Sequence, residues 1–362
     1  MTPHEGTTGD PVALEGHLMR LATITHSGGC SRTGELSLAG ADASRLELVC
    51  VSGCTVSPST GAASYTLTAG GSLKLMVVKK SDFASTLSAT LEDDDGTGDQ
   101  TIASITTTAL GYPIIFWFNP RDITYANVTD SDASGTLSQS DALNTLPDRS
   151  GNGRHLTASA SSGKATYVSS GNNAQPNIVM NATISTGTRY ESSTSSIGFT
   201  SGQDLLLLLT AQTTQVTARQ RLTMGKWPDV YNSFGGIEFN TYQTTGTHHE
   251  CYIAGNSYDV TALDAQSHVN LLHMTDTTHS LNIASNAKYY VDQQEYSLIG
   301  RGLKAGGIYS NQMQEANQVS LSIVGTMYDA IIVDGAEVSP SERQRLRCYS
   351  ALKNQIDSSD CQ

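Results

Sequence analysis

The sequence predicts an all-β protein: an N-terminal β-sandwich, a second and larger sandwich, and one short helix at the C-terminus. Three observations carry this. Apolar residues come in short runs, many of them alternating, and turn residues separate the runs at roughly 8–12-residue spacing, as in packed antiparallel strands. Only 15% of the 362 residues are charged and 6% aromatic, while 38% are hydrophobic and 33 are glycine. That composition can fill cores and is not that of a disordered chain. Helical spacing is well signalled once, near the C-terminus.

In chain order, residues 1–35 are polar and Gly/Thr-rich and read as an N-terminal arm. Val12, Leu14, Leu18 and Leu21 form an amphipathic patch suited to a short helix or to a segment ordered against a partner. Residues 36–109 read as a small β domain. Its strands are Leu46–Val49, Tyr65–Thr68, Leu73–Val78, Ser85–Leu91 and Ile102–Thr106, with turn signals at Ser57–Gly61, Ala69–Gly71 and Asp93–Gly96. The acidic run Glu92–Asp95 with Asp99 reads as a solvated hairpin tip in preference to a calcium site. Thr106–Pro113 is a linker.

Residues 112–362 form the larger domain, opened by the dense apolar strand within Tyr112–Phe118. Further strands are expected at Asn177–Met180, Leu205–Thr210, Gly236–Phe239, Cys251–Ile253, Val269–Met274, Lys288–Val291, Val319–Val324 and Met327–Val333. Leu205–Leu209 is apolar on both faces and reads as a fully buried strand, although periodicity alone does not separate it from a short buried helix. Ser339-Pro340-Ser341-Glu342 is a capping box with proline at the first helical position. It predicts a helix from Pro340 to Gln355. Leu346, Tyr349, Leu352 and Ile356 form its sheet-facing stripe, with Arg343, Arg345, Arg347 and Lys353 on other faces.

The most specified stretch is Leu146-Pro-Asp-Arg-Ser-Gly-Asn-Gly-Arg-His-Leu156. Pro-Asp opens a turn, Gly151 and Gly153 tolerate positive φ, and Asp148 can accept from the turn's own N–H groups. Such a loop is a fixed piece of framework, not a hinge.

The formal charge of −13, without a basic cluster, argues against nucleic acid and against an anionic bilayer as partners. The longest apolar run, Leu205–Leu209, is far short of a membrane span. Met1–Asp10 lacks the basic and apolar blocks of a secretory leader, so a chain made in the cytoplasm and released by lysis is expected. Six cysteines are present, Cys30, Cys50, Cys54, Cys251, Cys348 and Cys361. Their spacing fits no zinc pattern; buried small hydrophobes are the simpler reading, with a disulfide between Cys50 and Cys54 left open.

Chemistry is poorly signalled. Retaining glycoside hydrolysis needs two carboxylates about 5–5.5 Å apart, which on one strand means acids at i and i+2 or i+4. Asp292-Gln-Gln-Glu295 places its acids on opposite faces of a strand, and Glu238 and Glu250 stand alone. His248-His249-Glu250-Cys251, with His268, His273 and His279, reads as ordinary surface histidines and not as a zinc site. No nucleophile elbow, phosphate loop or dinucleotide fingerprint occurs. Trp227 and Tyr231 lie in a Pro-containing loop where exposed rings could stack on sugars, although a sandwich Trp is more often core.

Three stretches of the second domain together resemble the concanavalin A-like (LamG-type) jelly-roll family of phage structural and bacterial surface proteins. Ile115-Phe-Trp-Phe-Asn-Pro-Arg-Asp122 resembles the family's opening strand. Leu146–Leu156 resembles its Asp-Lys/Arg-Ser-Gly-Asn-Gly loop, with Gln175-Pro-Asn177 as the proline step after it. Tyr328–Arg343 is similar to its closing strand, turn and capped helix, preceded by a strand Tyr296–Gly300. Val-Ser-Pro-Ser and Tyr-Thr-Leu-Thr-Ala-Gly-Gly-Ser in the first domain resemble bacterial and phage Ig-like modules. The resemblance implies an Ig-like sandwich followed by a lectin-like jelly roll tied to carbohydrate or protein binding, with no assignable ligand residues. Together with the missing leader, the hydroxyl-rich composition and the absence of paired carboxylates or metal-ligand clusters, it leads us to expect a non-enzymatic virion protein without cofactor or metal site. That reading expects partners among other virion proteins, either major capsid or tail, and a homo-oligomeric state, with a cell-surface glycan as an open alternative ligand. A glycan-binding adhesin or a polysaccharide-degrading hydrolase on the same fold is the alternative.

Overall fold

The computed structural model describes residues 7–10, 19–57, 59–94, 96, 100–110, 113–129, 134–159, 163–171, 174–180, 189–192, 205–213, 220–224, 237–242, 248–253, 256–262, 266–274, 287–303, 319–334, 338–356 and 361. The chain is all-β apart from three single 3-10 turns and one C-terminal helix among the described residues.

The first unit is two antiparallel sheets. One runs Thr7–Asp10, Met19–His26, Ser72–Lys79, Leu46–Ser52; the other runs Cys54–Val56, Ala63–Leu67, Arg32–Ala39, Leu87–Asp94, Gln100–Thr107. Ile24, Leu36, Leu48, Tyr65, Leu75 and Leu91 pack between them. The alternation predicts this directly, because successive residues of a strand face opposite sides. Residues assigned to a polar arm nevertheless contribute two whole strands and the start of a third, Arg32–Ala39. Met19–His26 pairs along Ser72–Lys79, and Thr7–Asp10 pairs along Met19–His26. Met19, Leu21 and Ile24 are buried there, so most of the described part of the arm is sheet. Asp93 is no solvated tip either. It is buried and takes hydrogen bonds from the Tyr65 phenol at 2.8 Å and from Arg32 at 2.5 Å. Asp95 and Asp99 lie outside the described residues.

The second unit stacks a ten-stranded sheet on a nine-stranded one. At the centre of the larger sheet lies the closing strand Gly325–Asp334. Leu205–Thr213 pairs along one edge; Asn177–Met180 and Ile114–Phe118 share the other, end to end. Leu205, Leu207 and Leu209 face the core between the sheets, while Leu206 and Leu208 face outward into a second core. That is why Leu205–Leu209 is apolar on both faces. Tyr296–Gly300 is not one strand. Gln294–Tyr296 closes a hairpin on Ala287–Val291, and Ile299–Leu303 belongs to the other sheet. Asp292, read as a strand residue, sits in that hairpin turn with φ +52.

The outward core joins the two units. Pro340–Asn354 lies on the outer face of the ten-stranded sheet, and the four-stranded sheet of the first unit packs there as well. Leu346, Tyr349, Leu352 and Ile356 are buried as expected, among Met19, Val49, Met76, Trp117, Leu208 and Ile331. Arg343, Arg347 and Lys353 are buried too, against expectation. A helix covered from two sides has little solvent-facing surface, and sequence periodicity reports only one of the two contacts. Ser339 caps the helix by accepting from the Glu342 N–H at 3.2 Å. Cys348 is bonded to Cys361, and Cys50 to Cys54, so these four are not free buried hydrophobes; Cys30 is free and exposed. The linker is also pinned: Lys79, fully buried, donates to the carbonyls of Phe83, Ser85 and Thr108.

Candidate functional site at the seam between the sandwiches

Asp148 organises its loop as the sequence suggests. Its carboxylate accepts from the backbone N–H groups of Trp117 (3.1 Å), Ser150 (2.9 Å) and Arg154 (2.9 Å), and from the Ser150 hydroxyl (2.8 Å). Gly151 and Gly153 take φ +86 and +67, values that would strain a side-chain-bearing residue. Asn152 Nδ2 donates to the carbonyls of Ile114 and Ile115, tying the loop to the opening strand.

This rigid loop aims Arg149 into the seam. Its Nη1 and Nη2 meet the Glu47 carboxylate at 2.6 and 2.9 Å, and its Nε and Nη2 meet Asp122 at 2.6 and 2.8 Å. The guanidinium also lies 4.9 Å from the centroid of the Trp117 ring. Glu47 stands on Leu46–Ser52 of the first unit; Asp122 ends the turn Pro120–Asp122 of the second. Arg121, beside it, donates to the Leu48 carbonyl. Burial alone would raise the Glu47 pKa. The charges of Arg149 and Arg121 and the Arg149 hydrogen bonds outweigh burial and bring it down to about 2. Burial opposes the Arg149 charge as well, but its two carboxylate partners hold its pKa well above the usual value.

Behind the clamp is a second charge pair. Lys353 Nζ lies 3.0 and 3.1 Å from the two oxygens of Asp329, with both residues fully buried. Ser350 and Asn354 donate to the same carboxylate at 3.3 and 3.4 Å. Burial pushes Asp329 up and Lys353 down.

Two clefts flank the clamp. One, of about 460 Å³, is walled by Glu47, Arg121, Asp122, Lys80, Tyr167 and the Ser57–Gly61 turn. The other, of about 590 Å³, is walled by Arg149, Asn152, Phe83, Asp82 and Ile114.

The residues weighed for chemistry from sequence do not converge on either cleft. His268 Nδ1 is 2.7 Å from Asp292, which also accepts from the Val269 N–H at 2.9 Å, so this histidine and aspartate lock a hairpin turn. His273 is buried beside Arg343 at 3.0 Å and is not a surface histidine. Glu295 accepts from Tyr290 at 2.7 Å and from Lys288 at 3.1 Å. Glu238 lies on Ile237–Tyr242, and His248, His249, Glu250 and Cys251 lie on His248–Ile253. Trp227, Tyr231 and His279 lie outside the described residues. Among the described residues no three His, Cys, Asp or Glu side chains are grouped as metal ligands. Sequence reasoning missed Glu47, whose partner is 102 residues away. Its only signal is a carboxylate inside the otherwise apolar Leu-Glu-Leu-Val.

No family model and no curated protein matches the sequence. Three solved structures bear a distant likeness. One is botulinum neurotoxin type C, in a study of cell entry dependent on two ganglioside molecules: 8% identity, TM-score 0.32, covering 68% of this chain and 51% of that one. The present chain thus spans about half the length of the toxin structure. The second is an endo-1,3-β-glucanase from Streptomyces sioyaensis: 14% identity, TM-score 0.25, covering 60% and 88%. The third is mouse laminin α1 domains LG4-5: 9% identity, TM-score 0.22, covering 92% and 84%. At these TM-scores no ligand, activity or family transfers to this chain.

Proposed function

We propose that the chain is a non-enzymatic structural protein of a virion surface, a rigid two-sandwich body that displays a glycan-binding β-sandwich outward. One observation supports the non-enzymatic part: neither Glu47, the carboxylate at the cleft, nor the buried Asp329 is placed to act as a general acid on a glycoside. A general acid needs a carboxyl whose pKa is raised and which reaches the substrate. Glu47, at the cleft, is held down to about 2, and its carboxylate is bound to Arg149. Asp329 is raised but sealed beneath the helix. The hydroxyl-rich, charge-poor composition and the tightly pinned loops support a display role.

Two measurements test this. Particles lacking the protein, viewed by electron microscopy, are expected to lose surface density; an unchanged particle surface contradicts the reading. Incubation with polysaccharides is expected to release no reducing ends, whereas release abolished by one carboxylate substitution establishes the hydrolase alternative.

A further inference from the structure

The cleft of about 460 Å³ beside the clamp is a cationic spot on an acidic chain. The protein carries a net charge of −13, which disfavours anions almost everywhere on its surface. Around this cleft the balance reverses. Lys80 and Arg121 line it with Arg149 behind them, three cations against the two carboxylates of Glu47 and Asp122. Both carboxylates are already engaged by the two edges of the Arg149 guanidinium.

The two lining cations keep unused donors. Lys80's side chain has no hydrogen bond or ion pair with any described residue, and it is only half-buried. Arg121 donates through Nη1 to the Leu48 carbonyl, which fixes the guanidinium, and its Nη1 lies 3.7 Å from Glu47. Its Nε and Nη2 have no partner among the described residues. A guanidinium edge held in place and a free ammonium beside it suit one planar carboxylate, taken bidentately by the arginine and singly by the lysine.

The remaining walls suit a sugar ring. Tyr167 and Ile123 supply an apolar side, and burial raises the Tyr167 pKa, so its phenol stays protonated. The mouth carries exposed hydroxyls in a fixed turn, where Ser57 and Ser59 lie 3.0 Å apart and the Thr60 N–H donates to Ser57. The volume falls within the range of small-ligand sites. From these features we propose that this seam cleft binds an acidic saccharide by its carboxylate, through Arg121 and Lys80. The proposal rests on the glycan-binding reading above and adds the ligand's charge and its place.

The test is calorimetric titration of the full chain with glucuronate-, galacturonate- and sialate-terminated oligosaccharides, each beside its carboxyl-reduced neutral counterpart, with acetate as a control. At least one acidic sugar is expected to bind at least tenfold tighter than its neutral counterpart and than acetate. Lys80→Ala should weaken that binding about tenfold, and Lys80→Arg should restore most of it. Because Lys80 is outside the clamp, an unchanged melting temperature separates lost binding from lost folding. Equal affinity for acidic and reduced sugars, acetate matching the sugar, full binding by Lys80→Ala, or no binding at all overturns the proposal. Equal affinity would leave the glycan-binding reading standing, and loss of surface density from mutant particles is independent of every outcome here.

Discussion

Arg149 shows how much one side chain does in this protein. It joins a carboxylate from each unit, and removing one member of a buried ion cluster leaves the others uncompensated, at a cost of about 3–5 kcal/mol. Arg149→Gln is therefore expected to lower unfolding free energy by roughly that amount in urea titrations, while leaving the sheets' far-UV spectrum unchanged. Glu47 gives the pH dependence. Its pKa is lowered from the ordinary 4.5 to about 2 in the fold. A lowered carboxyl pKa means stability that is full above the unfolded value and is lost as pH falls through the folded one. The urea midpoint of the wild type should thus fall between about pH 4.5 and 2 more steeply than that of Glu47→Gln, which carries no titrating group there. A parallel fall in the two proteins would contradict the assignment. Lys353 and Asp329 test the same physics away from the seam carboxylates. Lys353→Met alone should cost about 3–5 kcal/mol, and Asp329→Leu added to it should recover part of that loss, since the orphaned charge is then gone. At this scale the sequence was legible only in part. Asp148, Gly151 and Gly153 announce their roles through turn chemistry, because their partners are a few residues away. Glu47 and Arg149 do not, because a hydrogen bond across 102 residues leaves no local pattern.

The C-terminal helix illustrates the next scale. Its cap, its proline and its apolar stripe are local features, and the structure places them where sequence rules put them. The burial of Arg343, Arg347 and Lys353 depends on a sheet from the other end of the chain closing over the helix, which periodicity cannot report. Arg343 finds the Val338 carbonyl at 2.9 Å, and Arg347 lies 4.2 Å from the Tyr290 ring centroid. The helix is also stapled by Cys348–Cys361, 13 residues apart. Replacing both by Ser should destabilise the protein by about 3 kcal/mol, the usual scale for a loop of this size. Non-reducing and reducing denaturant titrations check it: an unchanged midpoint on reduction would mean the bridge contributes nothing. Ser339→Ala should cost about 1 kcal/mol in the same assay. The strands missed from sequence are mostly two- or three-residue pieces such as Val128–Thr129 and Thr145–Leu146, too short for alternation to show.

At the scale of the whole molecule, turn spacing revealed that there are two sandwiches but not that they share a core. The composition of residues 1–35 concealed the strand Met19–His26, because each face mixes buried residues with polar ones: Met19 and Leu21 share a face with Thr23 and Thr25, and Ala22 and Ile24 share the other with His26. Val49, Met76 and Val78 lie on the outer face of the first unit's sheet, where a free-standing domain would expose them to water; here they pack against Trp117 and the helix. Buried apolar area of that kind, together with the Arg149 clamp, couples the two folding equilibria. The two units thus form one body. Differential scanning calorimetry of the full chain tests it most directly. One transition is predicted, with calorimetric and van't Hoff enthalpies in agreement, and Arg149→Gln should lower its midpoint or split it. Two separate transitions in the wild type, untouched by Arg149→Gln, would contradict the claim.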